Sequence, residues 1–127
     1  MSILLVEDDG ALRGAFKDSL EYLGYKVIDA AHGPQALALL RERPEPIDLV
    51  ISDLVMPYMN ALQLYEELQA LQTGVRMLIV TGYPMPQAGQ TLAEQPGVRW
   101  TTKPIRLERL QAFVEMMIKN NGLSIER

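Results

Sequence analysis

Short apolar runs return along this chain at regular intervals, and this rhythm constrains the fold more than any other feature. The runs are Ile3-Leu4-Leu5-Val6, Tyr25–Ala30 around Val27-Ile28, Ile47–Ile51, Met77-Leu78-Ile79-Val80 and a weaker Val98–Thr102. Runs this short, rich in Val, Ile and Leu, predict strands buried on both faces.

The stretches between them carry helical periodicity. Leu12, Phe16, Leu20 and Leu23 share one face, with Arg13, Lys17, Asp18 and Glu21 on the other, and Gly24 is placed to end that helix. Gly33-Pro34 predicts the start of a second helix, with proline at the first helical position. Asn60 is suited to cap a third helix carrying Ala61, Leu64, Leu68 and Leu71. Leu107, Leu110, Phe113, Val114, Met117 and Ile118 form the apolar face of the last. Before the fifth run, Pro84, Pro86 and Pro96 leave room only for a short helix over 89–95. The resulting order, β-α-β-α-β-α-β-(α)-β-α, predicts an α/β fold: a parallel sheet with helices on both faces.

Composition supports a single folded domain. The chain has 127 residues, 48% of them hydrophobic and 22% charged, and domains most often hold roughly 100–150 residues. There is no cysteine, which excludes disulfides and thiolate chemistry. The longest unbroken apolar run, Ala36–Leu40, is five residues, whereas a membrane span needs about 20. The N-terminus lacks a basic region followed by an apolar stretch, so no signal peptide is expected, and a cytoplasmic location is. A net charge of −4 argues against direct binding of nucleic acid.

In open parallel sheets, ligands bind beyond the carboxyl ends of the strands. The first run ends in Glu7-Asp8-Asp9, the third in Ser52-Asp53, the fourth in Thr81-Gly82 and the fifth in Lys103-Pro104. Glu7, Asp8 and Asp53 would crowd negative charge into one crevice, and such carboxylates resist joint ionisation unless a cation neutralises them. Hard oxygen ligands with room for water suit Mg²⁺. With a lysine amine and a threonine hydroxyl beside them, they describe a phosphoryl-transfer site. The plainer alternatives are a salt bridge from Lys103 to Asp53 without chemistry, and a strand-end cap for Thr81. His32, the single histidine, lies in the loop after the second run and is expected to have no catalytic role.

The segments ILLVEDD, IDLVISDLVMPYM, LIVTGY and WTTKP, in this order and spacing, resemble the receiver domain of two-component response regulators and hybrid histidine kinases. The resemblance runs from Ile3 to about Ile118, and implies a receiver domain over 1–120 followed by a tail over 121–127. It implies a flavodoxin-like, doubly wound five-stranded sheet of strand order 2-1-3-4-5. By position, Asp53 resembles the phosphoacceptor. Glu7 and Asp8 resemble the acidic pair holding Mg²⁺ (or Mn²⁺), Asp8 directly and Glu7 through water, with the Val55 carbonyl as a backbone ligand. Thr81 and Lys103 resemble the pair that grips the phosphoryl oxygens, and Thr81 and Trp100 the pair that switches on activation. The alternative for Trp100 is a partly buried aromatic on the last strand. The Lys103–Pro104 bond is implied to be cis. Asp9 is expected to be a solvated or helix-capping carboxylate.

The implied partner is a histidine kinase or phosphotransfer protein. The implied partner-reading face is made by the helix before the fifth strand, that strand and the last helix, and it is also a candidate homodimer face. Two features depart from the family pattern. Asn60-Ala61 stands where Asp-Gly is usual, so a glycine-like backbone at Ala61 would be strained. The Pro/Gly-rich segment 82–97 should make the partner face unusual, with 83–96 the least ordered part. The competing readings are a pseudo-receiver that works without phosphorylation, and a Mg²⁺-dependent phosphohydrolase with an aspartate nucleophile. The second is disfavoured because Val55 occupies the place of its general acid.

Overall fold

The computed structural model describes residues 1–72, 74–82 and 92–119. The elements are β1 (Ser2–Val6), α1 (Gly10–Tyr22), β2 (Lys26–Ala30), α2 (Gly33–Glu42), β3 (Leu49–Ser52), α3 (Ala61–Leu71), β4 (Arg76–Thr81), β5 (Val98–Thr102) and α4 (Leu107–Lys119). The five strands form one sheet in the order β2-β1-β3-β4-β5, and every pairing is parallel. The fold is therefore the expected doubly wound one.

The inner strands β1, β3 and β4 are almost wholly apolar and buried because each face packs on helices. The edge strands β2 and β5 carry charged and exposed residues, so the burial on both faces expected of every run does not extend to Val98–Thr102. Side chains alternate across a strand, so Leu4, Val6, Val50, Met77 and Ile79 point into one core with Leu37, Leu64 and Leu68 of α2 and α3. Ile3, Leu5, Leu49, Ile51, Leu78 and Val80 point into the other, against Phe16 and Leu20 of α1 and Leu110 and Val114 of α4. Each fully buried aliphatic side chain contributes roughly 1.5–3 kcal/mol.

Local signals set the helix ends. Asp9 caps α1, its Oδ1 accepting from Leu12 N at 3.1 Å. Gly24, with φ +97°, follows the helix and turns the chain toward β2. Asn60 caps α3 in a reciprocal box with Gln63: Gln63 N donates to Asn60 Oδ1 at 2.9 Å, and Asn60 N to Gln63 Oε1 at 3.0 Å. In α2 the expected start shifts by one residue. Gly33 is the first helical residue, Pro34 the second, and His32 is the cap, its Nδ1 accepting from Gln35 N at 3.2 Å. Leu23 is the cap residue of α1 and is exposed rather than part of its buried stripe.

Two expectations are corrected by the backbone. Ala61 is buried at the first turn of α3, its N–H donating to Leu54 O. Among the described residues, the one non-glycine with positive φ is Tyr58, at +69°, so the strain sits earlier in the loop than Ala61. The third apolar run also pairs over Leu49–Ser52 rather than from Ile47. Ile47 is instead held by its backbone, donating to Gln72 Oε1 and accepting from Gln72 Nε2, both at 2.8 Å. Residues 89–91 of the short helix expected over 89–95, like most of the segment 83–96 expected to be least ordered, lie outside the described residues. At its described end, Leu92 is fully buried and Gln95 N donates to Leu92 O. The tail over 121–127 also lies outside them.

Candidate phosphoryl-transfer site

A parallel sheet places the carboxyl ends of all its strands on one edge, and the site forms there at the junction of β1, β3, β4 and β5. Glu7 follows β1 and Asp53 follows β3, neighbouring strands with Val6 paired to Ser52. Glu7, Asp8 and Asp53 each bring a carboxylate oxygen within 4.8 Å of the others. Asp8 is exposed, Asp53 is half-buried and Glu7 is only 3% exposed.

Glu7 is fixed at every polar atom. Its N–H donates to Ala30 O at 3.1 Å. Its carbonyl accepts from Arg13 Nη1 at 2.8 Å. Its Oε2 accepts from Asp9 N at 3.1 Å, and its Oε1 from Lys103 Nζ at 3.0 Å. Burial pushes the Glu7 carboxyl above the ordinary glutamate value, and the bonds from Asp9 and Lys103 only partly offset this.

Lys103 bridges the two carboxylates, with its Nζ also 2.8 Å from Asp53 Oδ2. Burial acts to lower its pKa, but the hydrogen bonds to Asp53 and Glu7 outweigh burial, and the ammonium is held above the ordinary lysine value. Lys103 N donates to Thr81 O at 2.7 Å, which ties the ends of β4 and β5 together. Thr81 is fully buried. The Lys103–Pro104 peptide bond is cis.

The loop after Asp53 is anchored from beneath. Ser52 Oγ donates to Asp53 O at 2.8 Å and contacts Met56 Sδ at 3.3 Å. Val55 N donates to Asp53 Oδ1 at 3.4 Å, and the Val55 side chain is exposed. Tyr58 is 83% exposed and meets His32 edge to face, with ring centroids 5.0 Å apart. Trp100 is 43% exposed on β5, opposite Ile79. It lies three positions before Lys103 in the chain.

The structure thus brings together Glu7, Asp8, Asp53 and Lys103, with Thr81 at the end of the neighbouring strand. A three-carboxylate cluster with hard oxygen donors, one exposed and two held in place, fits a small divalent cation. Arg13 and Asp29 are the residues that sequence reasoning missed. Arg13 reads as one of the solvated charges on the outer face of α1, and its partner Asp29 comes from β2, which no helical spacing reveals.

Over residues 3–115 the sequence matches the response regulator receiver domain family. It is 32% identical over 118 residues to the sensor kinase CckA of Brucella abortus, a match covering 93% of this chain and 12% of that protein. It is 36% identical over 122 residues to the transcriptional regulatory protein GlrR of Escherichia coli, covering 94% of this chain and 27% of that protein. The chain therefore spans a minor part of the length of either relative. The fold superposes on the crystal structure of the receiver domain from the hybrid histidine kinase CckA with a TM-score of 0.77 and 30% identity, covering 93% of this chain and 99% of that one. A doubly wound sheet of this strand order, acidic residues at the ends of β1 and β3 and a match along nearly the whole sequence lead to one conclusion: the chain belongs to the response regulator receiver domain family.

Proposed function

We propose that the chain is a phosphoacceptor switch, taking a phosphoryl group on Asp53 from a histidine kinase or phosphotransfer protein. The observation that carries this reading is the convergence of Glu7, Asp8 and Asp53 around one point, with Lys103 reaching Asp53 from the side. In the transfer, an Asp53 carboxylate oxygen attacks phosphorus, the phosphorus–nitrogen bond to the donor histidine breaks, and the imidazole leaves with its electron pair. Glu7, Asp8, Asp53 and the Val55 carbonyl would hold Mg²⁺ or Mn²⁺, which supplies charge neutralisation to the phosphoryl oxygens when bound. Lys103 is placed to exchange its bond to Asp53 for one to a phosphoryl oxygen. The Thr81 hydroxyl is assigned the neighbouring oxygen, and Trp100 the readout on the β5 face. Water later hydrolyses the acyl phosphate in the same site. The protein is in this reading a signalling domain rather than an enzyme acting on a separate substrate.

The test is incubation with a small acyl phosphate donor and Mg²⁺, followed by intact mass. One added phosphoryl group is expected in the wild type, and none in Asp53→Asn or in the presence of a chelator. Labelling that survives either change overturns the assignment.

A further inference from the structure

The Glu7–Asp8 turn is held by a link that crosses three elements. Arg13, in the first turns of α1, donates through Nη1 to the Glu7 carbonyl at 2.8 Å. Its Nε pairs with Asp29 Oδ2 on β2 at 3.3 Å. The opposite side of the Glu7 residue is pinned to the same strand, its N–H bonded to Ala30 O. Asp29 has a second cation, Lys17 Nζ at 3.1 Å on Oδ1. Among the described residues Lys17 bonds Asp29 and not the turn, so neutralising Asp29 and holding the turn are separable tasks. The planar, forked guanidinium of Arg13 reaches Asp29 and Glu7 O together.

We propose that Arg13, anchored by Asp29, is a positioning residue for the divalent-cation site: it fixes the peptide joining Glu7 to Asp8 so that both carboxylates face Asp53. The inference rests on the reading of Glu7, Asp8 and Asp53 as cation ligands. Groups that orient metal ligands typically account for about 10–100-fold in metal affinity. The sign of the effect separates this role from a charge effect. A positive charge near a cation site repels the cation, so an Arg13 acting through charge alone would, on removal, tighten binding. An Arg13 acting through position would, on removal, loosen it.

The experiment is a Mn²⁺ titration read by water-proton relaxation, with Mg²⁺ as competitor, beside metal-free thermal unfolding of each variant. Arg13→Ala is expected to weaken Mn²⁺ and Mg²⁺ about tenfold. Arg13→Lys, which keeps the charge but not the fork, should fail to restore affinity. Asp29→Ala should weaken binding by a smaller factor and add nothing in combination with Arg13→Ala, which gives an independent route should one variant fold poorly. Lys17→Ala removes an ion pair to the same carboxylate and should leave affinity unchanged. Arg13→Ala that folds and binds as the wild type does, or more tightly, overturns the proposal, as does equal weakening by Lys17→Ala. A wild type that binds no Mn²⁺ overturns the cation-site reading itself, and a wild type that binds but is insensitive to Asp8→Asn does the same. Both results are distinct from a failure of Arg13 alone.

Discussion

The Lys103 ammonium lies 2.8 Å from Asp53 Oδ2, joining residues 50 positions apart at the carboxyl edge of the sheet. Because the same nitrogen also bonds Glu7, one ammonium is shared by both carboxylates. Lys103→Ala should therefore leave a nearly buried carboxylate without its ammonium partner. The stability loss should fall below the ~3–5 kcal/mol of a fully buried pair, since Lys103 keeps some solvent contact. Added Mg²⁺ should restore part of it, and Mg²⁺ affinity should hold or rise while the response to phosphorylation is lost. Unfolding midpoints with and without Mg²⁺ test this. Much poorer Mg²⁺ affinity in the variant would contradict it.

The loop bearing Asp53 leans on α2 at a point with no room to spare. A Cβ built on Gly33 would stand 2.7 Å from Met59 Sδ and 3.2 Å from Met59 Cβ. Gly33→Ala should force Met59 and the loop to shift, at a cost of about 1–3 kcal/mol. Chemical denaturation measures the loss. Combining it with Met59→Ala should give less than the sum of the single losses, because the two residues share one contact.

The capping box of α3 offers a local test. Asn60→Ala removes the side-chain acceptor for Gln63 N and leaves in place the backbone N–H that donates to Gln63 Oε1. A loss of about 1 kcal/mol in unfolding free energy is expected. The Asn60 side chain bonds within its own capping box, so acyl phosphate labelling of Asp53 should persist.

A pH effect is expected far from the site. The hydrogen bonds from Lys26 and then Ser2 hold the Glu45 carboxyl below the ordinary glutamate value. A depressed carboxylate contributes stability that is present above its unfolded value, here 4.5, and is lost as pH falls through the folded value. Thermal melts from neutral pH downward should show Glu45→Gln losing less stability below about pH 4.5 than the wild type does. Parallel curves would refute the assignment.

Much of this was legible in the sequence because it follows from local rules. Strands buried on both faces must be continuously apolar, so Ile3–Val6 and Met77–Val80 announce themselves. Asn60 and Asp9 show as caps because their side-chain oxygens have an N–H to meet within three residues. His32 does not, since a ring nitrogen in a loop reads as a solvated group until Gln35 N is seen donating to it. The positive φ considered for Ala61 stands at Tyr58 instead, while Asn60 is an ordinary extended cap in its reciprocal box with Gln63.

The sequence alone determined the alternation of strands and helices, and with it which residues stand at the carboxyl edge. A parallel sheet gathers strand ends wherever the chain returns, so Glu7, Asp8, Asp53, Thr81 and Lys103 were bound to approach one another. Tertiary structure decided how they are held. That Lys103 bonds both Glu7 and Asp53, and that Arg13 reaches across to Asp29 while gripping the Glu7 carbonyl, depends on the registry of β1 with β2 and β3 and on the side of the sheet that α1 covers. Those distances are set by packing between elements remote in sequence, and no spacing along a single element encodes them.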